Sequence, residues 1–331
     1  LCGMSKTLFL HRYEDIISIE NLLEAWREFV KGKRSREDVQ FFERHLMENL
    51  FCLQARLADM TYRHSAYEAF TVRDPKTRSI HKASVADRVL HRALYRKLYP
   101  FFDRAFIADS FSCRNGKGTH KALDRFASLA RKASRNHRVT LWVLKCDVKK
   151  FFASIDHRVL LRILYDSIAD KRIMRLLEEI IGSFSTATNG VGLPLGNLTS
   201  QLFANVYLNV LDQYAKHRLK AQYYLRYADD FAIMSTDKKW LESSLSAIQT
   251  FLAEKLFLRL HPDKVFIRTF SSGVDFLGWV HFPSHRVLRT ATKIRLMRAV
   301  RQGVSENALA SYQGLLRHGN TTKLRRRIDD L

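Results

Sequence analysis

With 331 residues, 46% of them hydrophobic, the chain is long enough for two or three subdomains with real cores, which argues against a disordered or fibrous polymer. Its 56 Lys and Arg against 33 Asp and Glu leave a formal net charge of +23, with basic residues spread from Arg12 to Arg327. A polyanion held over an extended surface is therefore indicated, nucleic acid first among them. Cys2, Cys52, Cys113 and Cys146 form no CxxC pair, and no apolar run reaches the roughly 18 residues that span a bilayer. A disulfide scaffold, a zinc knuckle and a membrane protein are thus disfavoured, and a reducing cytoplasm is the expected location. Met4 reads as the natural start.

From Ile16 to about Met60 the pattern is helical. Ile19, Leu22, Leu23, Trp26, Phe29 and Val30 predict one helix, and Phe41, Phe42, Leu46, Leu50 and Leu53 a second that Ser35 caps. Ala69 to Ile80 reads as strand, turn, strand, with Asp74-Pro75 at the turn and Lys76 and Arg78 beside it. Two readings stand there, a solvated basic turn and a cationic tip that closes on a triphosphate. A helix from Val85 is expected to stop at Pro100. Phe111 to His120 is a Gly-punctuated basic loop carrying Arg114 and Lys117; it lacks Walker A spacing and suits a contact to a nucleic-acid backbone.

Val139 to Lys145 predicts a mostly apolar strand that runs into Asp147. Asp156 caps a helix with Val159, Leu160, Ile163 and Leu164 on one face, and another through Leu176, Leu177, Ile180 and Ile181 ends at Gly182 in a left-handed turn. Gly190 to Gln201 is a loop of small residues that turns into a helix. Ala221–Arg226 and Phe231–Met234 read as two strands of a hairpin with Asp229 and Asp230 at its tip. Trp240 to Leu256 is helical, Leu258 to Ile267 is strand, turn, strand, and Val274 to Val280 is one apolar strand. From about Arg286 the chain is basic and helical, with Lys293, Arg295, Arg298 and Arg301 beside Ile294, Met297 and Val300.

Asp229-Asp230 alone is as consistent with a solvated turn as with a site. Asp147 is different, because a carboxylate ending a largely buried strand is costly unless it is paired or bound to metal. Three aspartates in a cationic chain meet the needs of phosphoryl transfer with two divalent ions about 3.5–4 Å apart, and their hard oxygens select Mg²⁺ or Mn²⁺. Nucleases and polymerases both fit. Histidine-based chemistry is less favoured, since the 13 histidines contain no HExxH.

The ordered set of motifs resembles the reverse transcriptases from about Phe70 to the C-terminus. Asp147 with Phe151-Phe152 is similar to their first catalytic motif and Tyr227-Ala228-Asp229-Asp230 to their second. Leu193-Pro194-Leu195-Gly196 through Ser200-Gln201 is similar to the segment that supports the nascent base pair, and Phe276-Leu277-Gly278 to the primer grip. The resemblance implies an α+β right-hand polymerase with fingers, an antiparallel palm and a short helical thumb. Its segments would be an N-terminal helical region at 1–68, fingers at 69–138, palm at 139–283 with fingers-associated elements at about 157–200, and thumb at 284–331. It implies catalytic Asp147, Asp229, Asp230 and Lys264, and two Mg²⁺ on the aspartates and Val148. Nucleotide contacts would come from Lys76, Arg78, Phe151, Phe152, Leu195, Gly196 and Gln201, with Phe152 beneath the sugar. Contacts to template or primer would come from Arg114, Lys117, Phe276, Leu277, Gly278, Lys293, Arg295 and Arg298.

Most of that family has Gln where this chain has Leu195, and Ser-Pro where it has Ser200-Gln201. These departures, with the tail Ser311 to His318, resemble the reverse transcriptases of diversity-generating retroelements. That subtype implies a template-repeat RNA, a DNA or cDNA primer, dNTPs, adenine-directed misincorporation, a small basic oligomeric accessory protein, and a bacterial or phage origin. The alternatives are a group-II-like bacterial reverse transcriptase with another role such as host defence, and a catalytically silent RNA-binding scaffold.

Overall fold

The computed structural model describes residues 8–73, 77–303 and 305–329, so Met4, Cys2 and Lys76 lie outside the described residues. The chain divides into two compact units, one of Leu1–Ile107, Lys149–Asp212 and Phe251–Arg259, the other of Ala108–Val148, Gln213–Thr250 and Leu260–Leu331.

In the first unit the amphipathic pattern of residues 13–58 folds as helices Tyr13–Ile17, Ile19–Phe29, Glu37–Arg44 and Leu46–Ala58 against Val85–Ala105. Leu22, Trp26, Leu50, Leu57, Val89 and Leu94 form their core, and Trp26 stacks on Phe42 at 5.3 Å. The expected single helix after Ser35 is two helices, broken at His45, and its N-cap is Arg36 rather than Ser35. Phe41 is 71% exposed and so lies off the packing face. Strands β1 (Glu68–Arg73) and β2 (Thr77–Lys82) pair antiparallel, as the sequence predicts.

The helix from Val85 does not stop at Pro100 but runs through it to Ala105. Proline inside a helix costs about 3 kcal/mol, yet Pro100 is on the exposed side while Leu98, Tyr99 and Phe102 are buried around it. At about 1.5–3 kcal/mol for each large apolar side chain, that burial outweighs the lost backbone bond. Gly182 ends the helix Lys171–Gly182 without a left-handed residue, because the Ser183 hydroxyl donates to the Ile180 carbonyl at 2.7 Å and satisfies that end. Asp156 does cap the helix His157–Tyr165, accepting from the Val159 N–H at 3.1 Å. The helix Leu198–Gln213 begins within the predicted loop-to-helix segment.

The second unit holds an antiparallel sheet of β3 (Trp142–Asp147), β4 (Tyr223–Tyr227), β5 (Asp230–Ser235) and β6 (Phe266–Thr269) in the order β4-β5-β3-β6. Helix Thr119–Ala133 shares a core with it: Leu123, Phe126 and Ala130 cluster with Val143, Leu225 and Ala232. Leu258 to Leu260 is not a strand; Leu260 makes a single bridge to Val148, and Pro262–Lys264 is a tight helical turn.

A second sheet is formed by β7 (Val274–Phe276), β8 (Trp279–His281) and β9 (Arg286–Leu288). The single strand expected at Val274 to Val280 is therefore a hairpin, since Leu277 and Gly278 both take positive φ, 51° and 85°, the geometry of a tight two-residue turn. Arg286 to Leu288 is strand where helix was expected, because Leu288 is needed in the core beside Trp279. Helices Thr290–Arg301, Glu306–Leu316 and Thr322–Asp329 follow, and Leu296, Leu316 and Ile328 join the same core. Leu296 faces inward, whereas Ile294 is exposed.

Candidate active site

Strand β3 carries Lys145 and Asp147 two residues apart, so both project from one face. The register sets Asp147 opposite Asp230, the first residue of β5, on that same face. Tyr227 pairs with Asp230, leaving Ala228 and Asp229 as a two-residue turn. Ala228 takes φ 54°, a left-handed value that disfavours any residue with a Cβ. The turn is braced from beneath by Arg226, a fully buried side chain whose guanidinium donates to the Ala228 carbonyl at 2.9 Å. The Arg226 backbone pairs in turn with Asp109 and Phe111, which cover that edge of the strand. The Val148 N–H donates to the Asp229 carbonyl at 3.2 Å and the His261 N–H to the Asp147 carbonyl at 2.8 Å, so backbone bonds lock strand end, turn and Pro262–Lys264 together.

Two ammonium groups reach the carboxylates. Lys264 Nζ donates to Asp147 Oδ1 at 2.8 Å, and Lys145 is in close ion contact with Asp230 Oδ1. Burial, and next the charge of Asp147, holds the Asp229 carboxyl above its usual range. Burial pushes Asp230 up to about 6, while Lys145 opposes that rise. Burial outweighs the ion pair here because the contact is a single one on a side chain only 22% exposed. These carboxylates are costly to ionise together, which is the condition of a site that gains from a cation.

Among the described residues no three His, Cys, Asp or Glu side chains converge as a ready metal cage. Lys145 draws Asp230 and Lys264 draws Asp147. The carboxylate oxygens of Asp147 and Asp229, near enough for their charges to interact, are nevertheless the donor type that a hard divalent ion takes. The sequence reading missed Lys145, although the period of two along β3 puts it on the face of Asp147. It also missed Arg226.

The second unit thus brings together Asp147, Val148, Asp229, Asp230 and Lys264. Its loop from Phe111 turns Arg114 and Lys117 inward on itself, donating to the carbonyls of Ser110 at 3.0 Å and Ala108 at 2.7 Å. Phe276 is buried under Lys145, stacked on Phe126 at 4.8 Å, with Leu277 and Gly278 at the hairpin turn. Lys293, Arg298, Arg301 and Arg327 line a groove of about 650 Å³ floored by Ile294, Met297 and Leu324, and Arg295 is exposed on the same helix.

The other predicted residues belong to the first unit. Phe151 is a core residue in edge contact with the half-buried Phe152. Arg78 is exposed on β2. Leu195 is half-buried, with its carbonyl accepting from the His81 N–H at 2.9 Å. Gly196 has φ 111°, and a Cβ there would stand 2.9 Å from Ile80 Cγ2. Gln201 lies in the first turn of Leu198–Gln213.

Residues 73–281, which hold all three aspartates and the segment between them, match the family described as Reverse transcriptase (RNA-dependent DNA polymerase). The chain belongs to the reverse transcriptase family. This reverse transcriptase is 28% identical over 283 residues to Protein YkfC of Escherichia coli, covering 73% of this chain and 72% of that one. Group II intron-encoded protein LtrA of Lactococcus lactis is 22% identical over 274 residues, 62% of this chain and 44% of LtrA. The putative COX1/OXI3 intron 2 protein of Saccharomyces cerevisiae is 24% identical over 42% of this chain, which spans only 23% of that protein. Among solved structures, apo telomerase from Candida tropicalis, truncated from its C-terminal domain, superposes with a TM-score of 0.51 at 13% identity, over 74% of this chain and 60% of that one. The reverse transcriptase has the α+β right-hand polymerase fold. Its enzyme class is that of the RNA-directed DNA polymerases, which are nucleotidyltransferases. No helix among the described residues is long and apolar enough to cross a membrane.

Proposed function

We propose that this reverse transcriptase copies a template-repeat RNA into cDNA by two-metal phosphoryl transfer, and that it serves a diversity-generating retroelement by misincorporating opposite template adenines. The observation that carries the polymerase reading is the cross-strand pairing of Asp147 with Asp230, with Asp229 in the adjoining turn. Asp147 and Asp229, with the Val148 carbonyl, would hold the ions, Asp230 assisting. Mg²⁺ or Mn²⁺, when bound, supplies Lewis-acid activation of the attacking and leaving oxygens. Lys264 is the proposed proton donor to pyrophosphate, and its contact with Asp147 orients it at the site. Arg78, Phe152, Leu195, Gly196 and Gln201 are the proposed nucleotide-handling residues, and the cationic groove at Lys293 and Arg298 a nucleic-acid contact. Fingers, palm and thumb are proposed at 69–138, 139–283 and 284–331.

The retroelement reading is supported by Leu195. An amide beside the nascent pair can hydrogen-bond and police its geometry, whereas Leu195 fills space, so discrimination weakens. It brings with it a dedicated RNA and a small basic accessory protein as partners. A second reading, a group-II-like enzyme that copies faithfully, is favoured by the likeness to LtrA.

Primer extension on a defined RNA, followed by sequencing of the cDNA, separates these. Errors concentrated at template adenines and reduced by Leu195→Gln are expected. Errors spread over all template bases would replace the retroelement reading with the faithful one. Equal extension by wild type and Asp229→Asn would remove the proposed site and favour a silent scaffold.

A further inference from the structure

The segment that carries Leu195 and Gln201 is tied to the helix Val85–Ala105 by a buried chain of histidines that the proposed chemistry does not use. Thr199 Oγ1 lies 2.7 Å from His91 Nδ1, His91 Nε2 lies 3.1 Å from His64 Nε2, and His64 Nδ1 lies 2.7 Å from the Ser65 carbonyl. His91 is 2% exposed and Thr199 1%. Burial lowers the His91 titration to about 3, so its ring is neutral. On the far side the Tyr67 hydroxyl stands 3.2 Å from His64 Nε2 and 2.9 Å from Ser183 Oγ.

A carbonyl only accepts, so the His64 proton facing Ser65 is on Nδ1. The neutral His91 ring carries one N–H and one lone pair, so one of its nitrogens donates and the other accepts, and both are engaged, Nδ1 with the Thr199 hydroxyl and Nε2 with His64. The segment is held on its other flank as well, where the His81 N–H donates to the Leu195 carbonyl at 2.9 Å and the Asn197 amide to the His81 carbonyl at 3.3 Å. Directional bonds at both flanks leave the intervening residues one place to stand, which apolar packing alone does not do.

We propose that His91 is a positioning residue that sets where the Leu195–Gln201 segment stands, and through it how stringently an incoming nucleotide is discriminated. This rests on the reading that the segment faces the nascent base pair.

Three variants test it. Thr199→Val keeps the shape and removes the hydroxyl, Thr199→Ser keeps the hydroxyl, and His91→Phe removes both ring bonds. Amide exchange over residues 195–201, measured without substrate, is expected to speed up about tenfold in Thr199→Val and His91→Phe, the equivalent of one buried hydrogen bond, and to return toward wild type in Thr199→Ser. In steady-state incorporation on an RNA template, the dNTP KM and the misincorporation frequency change in the same two variants while kcat changes less. Should His91→Phe fail to fold, Thr199→Val carries the test. Unchanged exchange overturns the anchor, whatever the polymerase assay gives. Faster exchange with wild-type KM and error frequency overturns the positioning role and leaves His91 a stabilising core residue. If the wild-type chain extends no primer, the polymerase reading fails and with it the link to discrimination, while the exchange result still judges the anchor.

Discussion

Replacing Asp230 by asparagine should remove a loss of stability that sets in as pH rises. Asp230 is 22% exposed, beside Asp147 and Asp229, and its carboxyl rises from 3.8 to about 6, chiefly through burial. Because the folded value lies above the unfolded one, its contribution is complete below about pH 3.8 and is lost as pH rises through about 6. The rise corresponds to about 3 kcal/mol, at 1.36 kcal/mol for each pH unit. Asp230→Asn mimics the protonated carboxyl and lacks that loss. The quantity to measure is the difference in unfolding free energy between wild type and variant, from urea melts between pH 4 and 7.5 with EDTA present. The difference cancels Asp38, Asp87 and Asp170, where hydrogen bonds and cations outweigh burial and depress the carboxyls. It should move in favour of the variant by about 3 kcal/mol as pH rises. A difference constant with pH, or one that moves toward wild type, refutes the electrostatic account. Adding Mg²⁺ should shrink the effect, since a bound cation favours the ionised carboxylate.

Ala228→Gly should stabilise the fold by about 1 kcal/mol, because Ala228 takes φ 54°; the urea midpoint reads it. Gly319→Ala should destabilise by more than about 2 kcal/mol, since the added Cβ would overlap the Trp279 ring and stand 2.9 Å from the Arg286 carbonyl. Its signature would be proteolytic cutting in the C-terminal helices at a protease level that spares wild type. Arg298→Ala should weaken RNA binding and reduce the slope of log affinity against log salt by about one, measured by titration at several salt concentrations.

The Asp147 strand and the Asp229-Asp230 turn are legible in the sequence because apolar strand runs stop abruptly at carboxylates, and a two-residue hairpin has few other solutions. Lys145 is harder to see, since a lysine near the end of an apolar strand reads as a solvated end until the register with β5 puts it against Asp230. Pro100 and Ser183 show why helix ends are hard to read from the sequence. A proline on the exposed side is tolerated when its neighbours are buried, and a hydroxyl can close a helix where a left-handed glycine was expected. The hairpin at Leu277-Gly278 hides because its first turn residue is a leucine in a conformation that leucine seldom adopts. The histidine chain hides altogether, since nothing local links His64, His91 and Thr199.

The strand order β4-β5-β3-β6 also bears on how the molecule comes into being. Lys145 meets Asp230 across 85 positions of chain, and Lys264 meets Asp147 across 117. Both loops must close before these charges are compensated, so these contacts carry a larger loop-closure cost than the local ones within the helices of residues 13–58. During synthesis neither ion pair can form until its second partner, Asp230 or Lys264, has left the ribosome. A growing polypeptide therefore carries much of its positive charge before these two ion pairs can form.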